Sequence, residues 1–353
     1  MKKILLLSLV IVLYNQVQSQ DVGQILAGSS QDINKYADAF LQPAGVGEIY
    51  NISKGWFSTA RVHKPLGFDI SVKGEIAILP NGSDNFTFNN SDYSTFKLAG
   101  SATSASLPTI IGGNTSQVIN VSTTVNGQPA HTSFNAPNGL IGNSNNSSQS
   151  SSLLVVPLPI VQLSVGIFKH TELKIRYFPK TTFNKFDLSI FGIALQHEFT
   201  HYLPFARRIP FLHFSALAGY NSMNADFKPN FDQSSSVQST NANLNYKLGA
   251  FTLQGIASVK FSLLELYAAI GYSTGNSTMN VNGDYTVTYN TGNPPPNNTV
   301  TTTKTNPVSL SYNAGGLSNT WGIRLNLTIL KVYADYTFAK YNGIGAGIAL
   351  GIR

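Results

Sequence analysis

Cysteine is absent from the 353 residues, which excludes a disulfide framework and any thiolate metal site. Charge is scarce. Asp, Glu, Lys and Arg make up 11% of the chain, against roughly 25% in ordinary soluble domains. Long apolar runs are missing too. Beyond the N-terminus no stretch approaches the roughly 18 apolar residues that a spanning helix needs, so a helical membrane protein is excluded. There is no G-x-S-x-G, no phosphate-binding glycine loop and no Asp-rich calcium loop. The formal charge of +7 is dispersed, with Arg207-Arg208 the one adjacent basic pair after residue 19, and leaves no nucleic-acid footprint.

What is present begins with an export signal. Lys2 and Lys3 form a basic start, Ile4 to Leu13 an apolar stretch too short to span a membrane, and Val17-Gln18-Ser19 offers the small residue before a cleavage point. Residues 1–19 therefore read as a signal peptide. The mature chain carries +5 once both lysines leave (7 − 2).

The C-terminal residues set the class. In 321–329 the apolar Trp321, Ile323, Leu325, Leu327 and Ile329 alternate with Gly322, Arg324, Asn326 and Thr328. The alternation resumes with Val332, Ala334, Tyr336 and Phe338 against Lys331, Tyr333, Asp335 and Thr337. It ends with Ile344, Ala346, Ile348, Leu350 and Ile352 against glycines. A period of two puts the two sets on opposite faces of a strand, and about ten residues per strand match a tilted bilayer crossing. Only a closed barrel hides every backbone polar group from lipid. The same pattern sets Phe68, Ile70, Val72 and Ile76 against Asp69, Ser71, Lys73 and Glu75, and Leu173, Ile175 and Tyr177 against Glu172, Lys174 and Arg176. With weaker candidates at 55–62, 85–98, 184–196, 211–221 and 251–260, the expectation is an all-β, transmembrane antiparallel β-barrel of about 12–14 strands over 55–353. The polar faces nominate Asp69, Lys73, Glu75, Lys174, Arg176, Lys247, Glu265, Arg324 and Asp335 as lumen-lining residues. Segments 100–152, 222–242 and 274–320, rich in Ser, Asn, Thr and Gly, read as long extracellular loops.

Residues 20–54 read differently. Ile33, Tyr36, Ala37, Phe40 and Leu41 recur at helical spacing, Ser29 or Ser30 can cap the start, and Pro43 is expected to stop the run. Such a helix could plug the lumen or pack beneath it. The stretch 45–56 is expected to be a loop leading into the barrel.

His197-Glu198-Phe199-Thr200-His201 matches the zinc-protease pattern H-E-x-x-H, which needs a helix to bring both histidines to one face. Here it follows a strand-like run, and Pro204 comes three residues later. On a strand Glu198 points away from His197 and His201. The match is read as chance, and no metal, cofactor or catalytic residue is assigned.

This layout resembles the FadL-like long-chain fatty acid transporter class, which has a signal peptide, an N-terminal hatch and one barrel, usually of fourteen strands. The blocks GWFSTARVHKPLGFDISV (55–72) and LQHEFTHYLP (195–204) resemble an uncharacterised family of Gram-negative outer-membrane proteins. The resemblance implies a monomeric barrel in the cell outer membrane, with membrane lipid and the barrel-assembly machinery as partners. It would pass or bind a small molecule, a hydrophobic one if the FadL-like resemblance extends to substrate. The alternative is a non-transporting barrel whose loops bind a partner or matrix.

Overall fold

The computed structural model describes residues 23–139, 158–183, 186–228 and 236–352. The expected signal peptide and the low-complexity stretch 143–152 lie outside them.

One helix, α1 (Ser30–Ser53), precedes the strands. Ser29 caps it by accepting a hydrogen bond from the Asp32 amide at 3.1 Å. Pro43 does not stop it, contrary to expectation; the helix runs ten residues further through 45–53. Proline removes one intrahelical donor. Close to it the Phe40 carbonyl accepts a hydrogen bond from the Ile110 amide at 2.9 Å, which ties the helix to the cap. Enclosed by protein, the following residues satisfy their own backbone best by staying helical.

After α1 the chain runs extended to β1 (Phe68–Ile78). A cap of short strands follows: β2 (Asn85–Asn89), β3 (Phe96–Leu98), β4 (Ser104–Pro108), β5 (Val118–Val125) and β6 (Gln128–Asn135). Then come β7 (Leu158–Gly166), β8 (Thr171–Phe183), β9 (Phe186–Glu198), β10 (Leu212–Phe227), β11 (Val237–Phe261) and β12 (Leu264–Asn290). The last four are β13 (Thr299–Thr305), β14 (Val308–Leu327), β15 (Leu330–Phe338) and β16 (Asn342–Ile352).

Among the described residues, ten strands close an antiparallel ring in the order β1, β7, β8, β9, β10, β11, β12, β14, β15, β16, with β16 pairing back to β1. The fold is the expected transmembrane-type β-barrel, with fewer wall strands than the 12–14 read from the sequence. The excess has a physical origin. Segment 85–98 belongs to the cap, and 55–62 lies inside the ring, where wall side chains rather than a neighbouring strand hold its backbone.

One end of the ring carries the tight turns at 262–263 and 328–329 together with 167–170 and 199–211; this is the turn end. The other, loop end carries the cap and the excursion through β13. Much of 222–242 and 274–320 is strand rather than loop, because β10, β11, β12 and β14 continue past the lipid-facing band.

Polarity inverts along these long strands. In the turn-end half of β14, Leu317, Trp321, Ile323, Leu325 and Leu327 are exposed while Thr320 and Arg324 are buried. In its loop-end half Val308, Leu310 and Tyr312 are buried, and Ser309, Ser311 and Asn313 face out. The loop-end interior is a dry core around α1. There Tyr36 is fully buried, with its ring edge-on to Phe86, Phe88, Phe96 and Phe134 at centroid distances of 5.6–6.3 Å. Such an exterior, apolar below and polar above, suits a barrel with one end in lipid and the other in water.

Candidate functional site in the lumen

The ring is filled along its axis. Residues 54–67 descend from α1 through a polar lumen, and the wall holds their backbone. Arg176, on β8, donates to the carbonyls of Ile52 (3.1 Å) and Lys54 (2.9 Å), and its guanidinium stacks 3.6 Å from the Trp56 ring centroid. Gln162 donates to the Trp56 carbonyl (3.3 Å) and Gln196 to that of Thr59 (3.0 Å). Glu198 accepts from the Val62 amide (3.1 Å) and Glu172 from the His63 amide (2.9 Å). Glycines on the wall make room: a Cβ at Gly219 would lie 3.0 Å from the Trp56 ring, and one at Gly343 2.4 Å from Lys54 Nζ.

The charges form connected groups. Lys73 Nζ lies 2.7 Å from both Glu75 and Asp335, and Tyr267 donates to Asp335 at 2.7 Å. Nearer the turn end Glu172 is held between Lys174 and His63, whose Nδ1 is 2.6 Å away. His63 Nε2 also reaches Asp69 at 3.3 Å, with Lys331 at 3.7 Å. Glu265 accepts from Thr59 and, at 3.3 Å, from Asn326, while Arg324 donates to Ser58 at 2.8 Å. Each buried charge thus has a partner of opposite sign or a polar one, as a low-dielectric interior requires. A small cavity remains between plug and wall, lined by Tyr50, Lys54, Lys73, Ser273, Thr320 and Asp335 among others.

Of the nine residues nominated from the strand pattern, eight are buried and inward-facing: Asp69, Lys73, Glu75, Lys174, Arg176, Glu265, Arg324 and Asp335. Lys247 is the correction. It is exposed, while its neighbours Tyr246 and Leu248 are buried. It lies in the loop-end half of β11, where the interior is apolar and the outside is water, so the rule for the lipid-spanning half reverses. Sequence reasoning missed Lys54, Trp56 and His63, which sit in an irregular stretch without a period of two. The bulky aromatic and basic residues of 54–64 were their one signal.

The H-E-x-x-H residues are split across the wall. Glu198 faces the lumen, with His213 Nδ1 at 2.7 Å, whereas His197 is on the outer side, 2.9 Å from the Thr171 hydroxyl. His201 follows on the short turn Thr200–Tyr202, its ring 4.1 Å from that of His170. Burial, with the nearby His170 and His197, pushes its imidazole below the usual histidine range. Among the described residues no three His, Asp or Glu side chains converge to hold a metal.

No curated protein matches the sequence. Among solved structures, the chain is similar to the translocator domain of autotransporter NalP from Neisseria meningitidis (9% identity, 90% of this chain and 97% of that one, TM-score 0.27). It is similar also to the outer membrane protease OmpT from Escherichia coli (10%, 82% and 97%, 0.28) and to Ail, the attachment invasion locus protein of Yersinia pestis (11%, 52% and 93%, 0.23). The barrel itself is defined by the closed ring of ten strands. The model of a family of unknown function, DUF6588, matches residues 1–352, and the chain belongs to that family.

Proposed function

We propose that this protein is a closed barrel of the outer membrane, with its cap turned to the outside of the cell for recognition. The observation that supports this reading best is the plug. Residues 30–63 occupy the lumen, with main-chain carbonyls of Ile52, Lys54, Trp56 and Thr59 bound by wall side chains. An open path would need those bonds and the buried ion pairs around Lys73 to be given up together. The signal peptide read at 1–19 supplies export, and the apolar turn-end exterior supplies the lipid contact. The exposed carboxylates Asp84, Asp92 and Asp284 sit at the loop end, as suits a face in water.

The FadL-like reading is weaker on two counts: the ring has ten strands rather than the usual fourteen, and the turn-end half of the lumen, around residues 54–63, carries many buried charges. Passage of a small solute keeps one supporting observation, the cavity beside Lys54 and Lys73. In this reading the protein is not an enzyme.

The test is paired. Full-length protein in planar bilayers is expected to be silent, and protease added to intact cells is expected to cut within the cap. Steady conductance from the full chain would overturn the closed-barrel reading, and a cap cut only after permeabilisation would overturn the orientation.

A further inference from the structure

Charge is unevenly placed at the turn end. The tips of the two tight turns, Ser262-Leu263 and Thr328-Ile329, carry none. The connections 167–170 and 199–211 carry Lys169, Arg207 and Arg208, all exposed and without an ion-pair partner among the described residues. The carboxylates nearest this end, Asp69, Glu172 and Glu198, are buried and engaged by Lys331, Lys174 and His213. Neither connection has an acidic residue of its own. Lys169 and His170 are the central pair of a tight hairpin turn, at φ 49° and 58°, closed by the Ile167 amide donating to the Thr171 carbonyl at 2.9 Å. The longer connection folds back on itself, with the Arg207 amide donating to Leu203 at 3.1 Å. The rings of His170 and His201 lie 4.1 Å apart, and the Glu198 amide donates to the His170 carbonyl at 2.9 Å, so the two connections form one patch.

The patch borders the lipid band. Along the outer face of β9, Phe191, Ile193 and Leu195 are exposed, and His197 follows on the same face about 6.7 Å further on. Phe168, Tyr202 and Phe205 are exposed around the cations, as aromatic rings gather where acyl chains give way to headgroups. We propose that this patch binds the phosphate headgroup of an anionic phospholipid in the leaflet that meets the turn end. Guanidinium groups pair with phosphate oxygens two at a time. A zwitterionic headgroup fits worse, because its ammonium would meet Lys169, Arg207 and Arg208 and find no exposed carboxylate. A water-soluble acidic partner would leave the adjoining aromatic rim unexplained. The site rests on the lipid band read above, and on the proposed orientation its leaflet is the inner one.

Full-length protein is folded into vesicles of equal parts phosphatidylglycerol and phosphatidylethanolamine and released into mild detergent, and its retained lipids are counted by native mass spectrometry. Phosphatidylglycerol is expected to be retained roughly fivefold or more over phosphatidylethanolamine, since each basic residue near an anionic surface contributes about that factor. Arg207→Gln with Arg208→Gln is expected to lower that preference roughly fivefold or more. Lys169→Gln, on the other connection, is a second probe with an expected loss of about two- to fivefold. The same loss of two charges at the loop end, Lys228→Gln with Lys247→Gln, is expected to leave the preference within about twofold of wild type. Heat-modifiable gel mobility checks that each variant is folded. Equal retention of the two lipids by wild type, or equal losses in the two double variants, would overturn the proposal. Vesicle flotation separates it from the reading beneath it. Protein that floats without a lipid preference removes the headgroup site alone, whereas protein that fails to float removes the lipid band and the site together.

Discussion

The Arg176 guanidinium lies 3.6 Å from the centre of the Trp56 ring and donates to the carbonyls of Ile52 and Lys54. One wall residue thus grips the plug where helix gives way to extended chain. Removing it takes the donor from the buried Lys54 carbonyl, at about 1–3 kcal/mol, and the stacking on Trp56, at about 2 kcal/mol, while the Ile52 carbonyl keeps a hydrogen bond from Asn221 at 3.0 Å. Arg176→Ala is accordingly expected to lower unfolding stability by about 2–5 kcal/mol and to open residues 54–60 to protease. Wild-type stability would show that the plug is anchored elsewhere.

Depth and face should separate on β14. Ile323 and Ser311 both point outward, but Ile323 lies in the apolar band and Ser311 in its polar, loop-end continuation. Ile323→Arg is expected to cost about 2–4 kcal/mol in urea titrations of vesicle-inserted protein. Ser311→Arg should stay within about 0.5 kcal/mol of wild type. Equal costs would refute the assigned lipid band.

Lys73 sits between Glu75 and Asp335, all three buried. Lys73→Met strands two carboxylates and should cost about 3–5 kcal/mol. Combining it with Glu75→Gln should cost less than the sum of the single changes, by about 1 kcal/mol or more. Strict additivity in a double-mutant cycle would mean that the pair is not coupled.

At the loop end, burial alone would raise the Asp32 pKa, but hydrogen bonds from Thr95 and Ser94 outweigh it and hold the carboxyl below its usual range. A lowered folded pKa means that the unfolded chain binds the proton first. The contribution to stability is therefore full above the ordinary aspartate value and is lost as pH falls through the folded one. The junction of α1 and cap should loosen below about pH 3.9, read as faster amide exchange at Ser94 and Thr95. Asp32→Asn should remove that pH dependence, and an unchanged profile would exclude Asp32 as its source.

Shortening the plug tests the seal. Deletion of residues 21–45 removes the first two thirds of α1 from the loop-end core while leaving the strands intact, and should convert a silent protein into one with measurable conductance in planar bilayers. A silent, correctly folded deletion variant would mean that residues 46–63 and the wall charges close the lumen by themselves.

Much of the wall was legible in the sequence, because a strand between lipid and a polar lumen must alternate with period two. Trp321 to Ile329, Val332 to Phe338 and the Ile-Gly alternation of β16 fix their faces without any knowledge of neighbours. Eight inward charges follow from that phase. Ser29 and the helical spacing of Ile33, Tyr36 and Phe40 likewise announce α1. The tertiary structure alone decided where the helix ends, how many strands close the ring, and which way Lys247 points. Pro43 is passed because its surroundings are protein rather than water. Lys247 faces out because its depth along the barrel, not its place in the alternation, sets which side is polar. The plug's contacts join Arg176 to the carbonyls of Ile52 and Lys54, 124 and 122 positions away, and backbone carbonyls are the same in every residue and so leave no mark in the sequence.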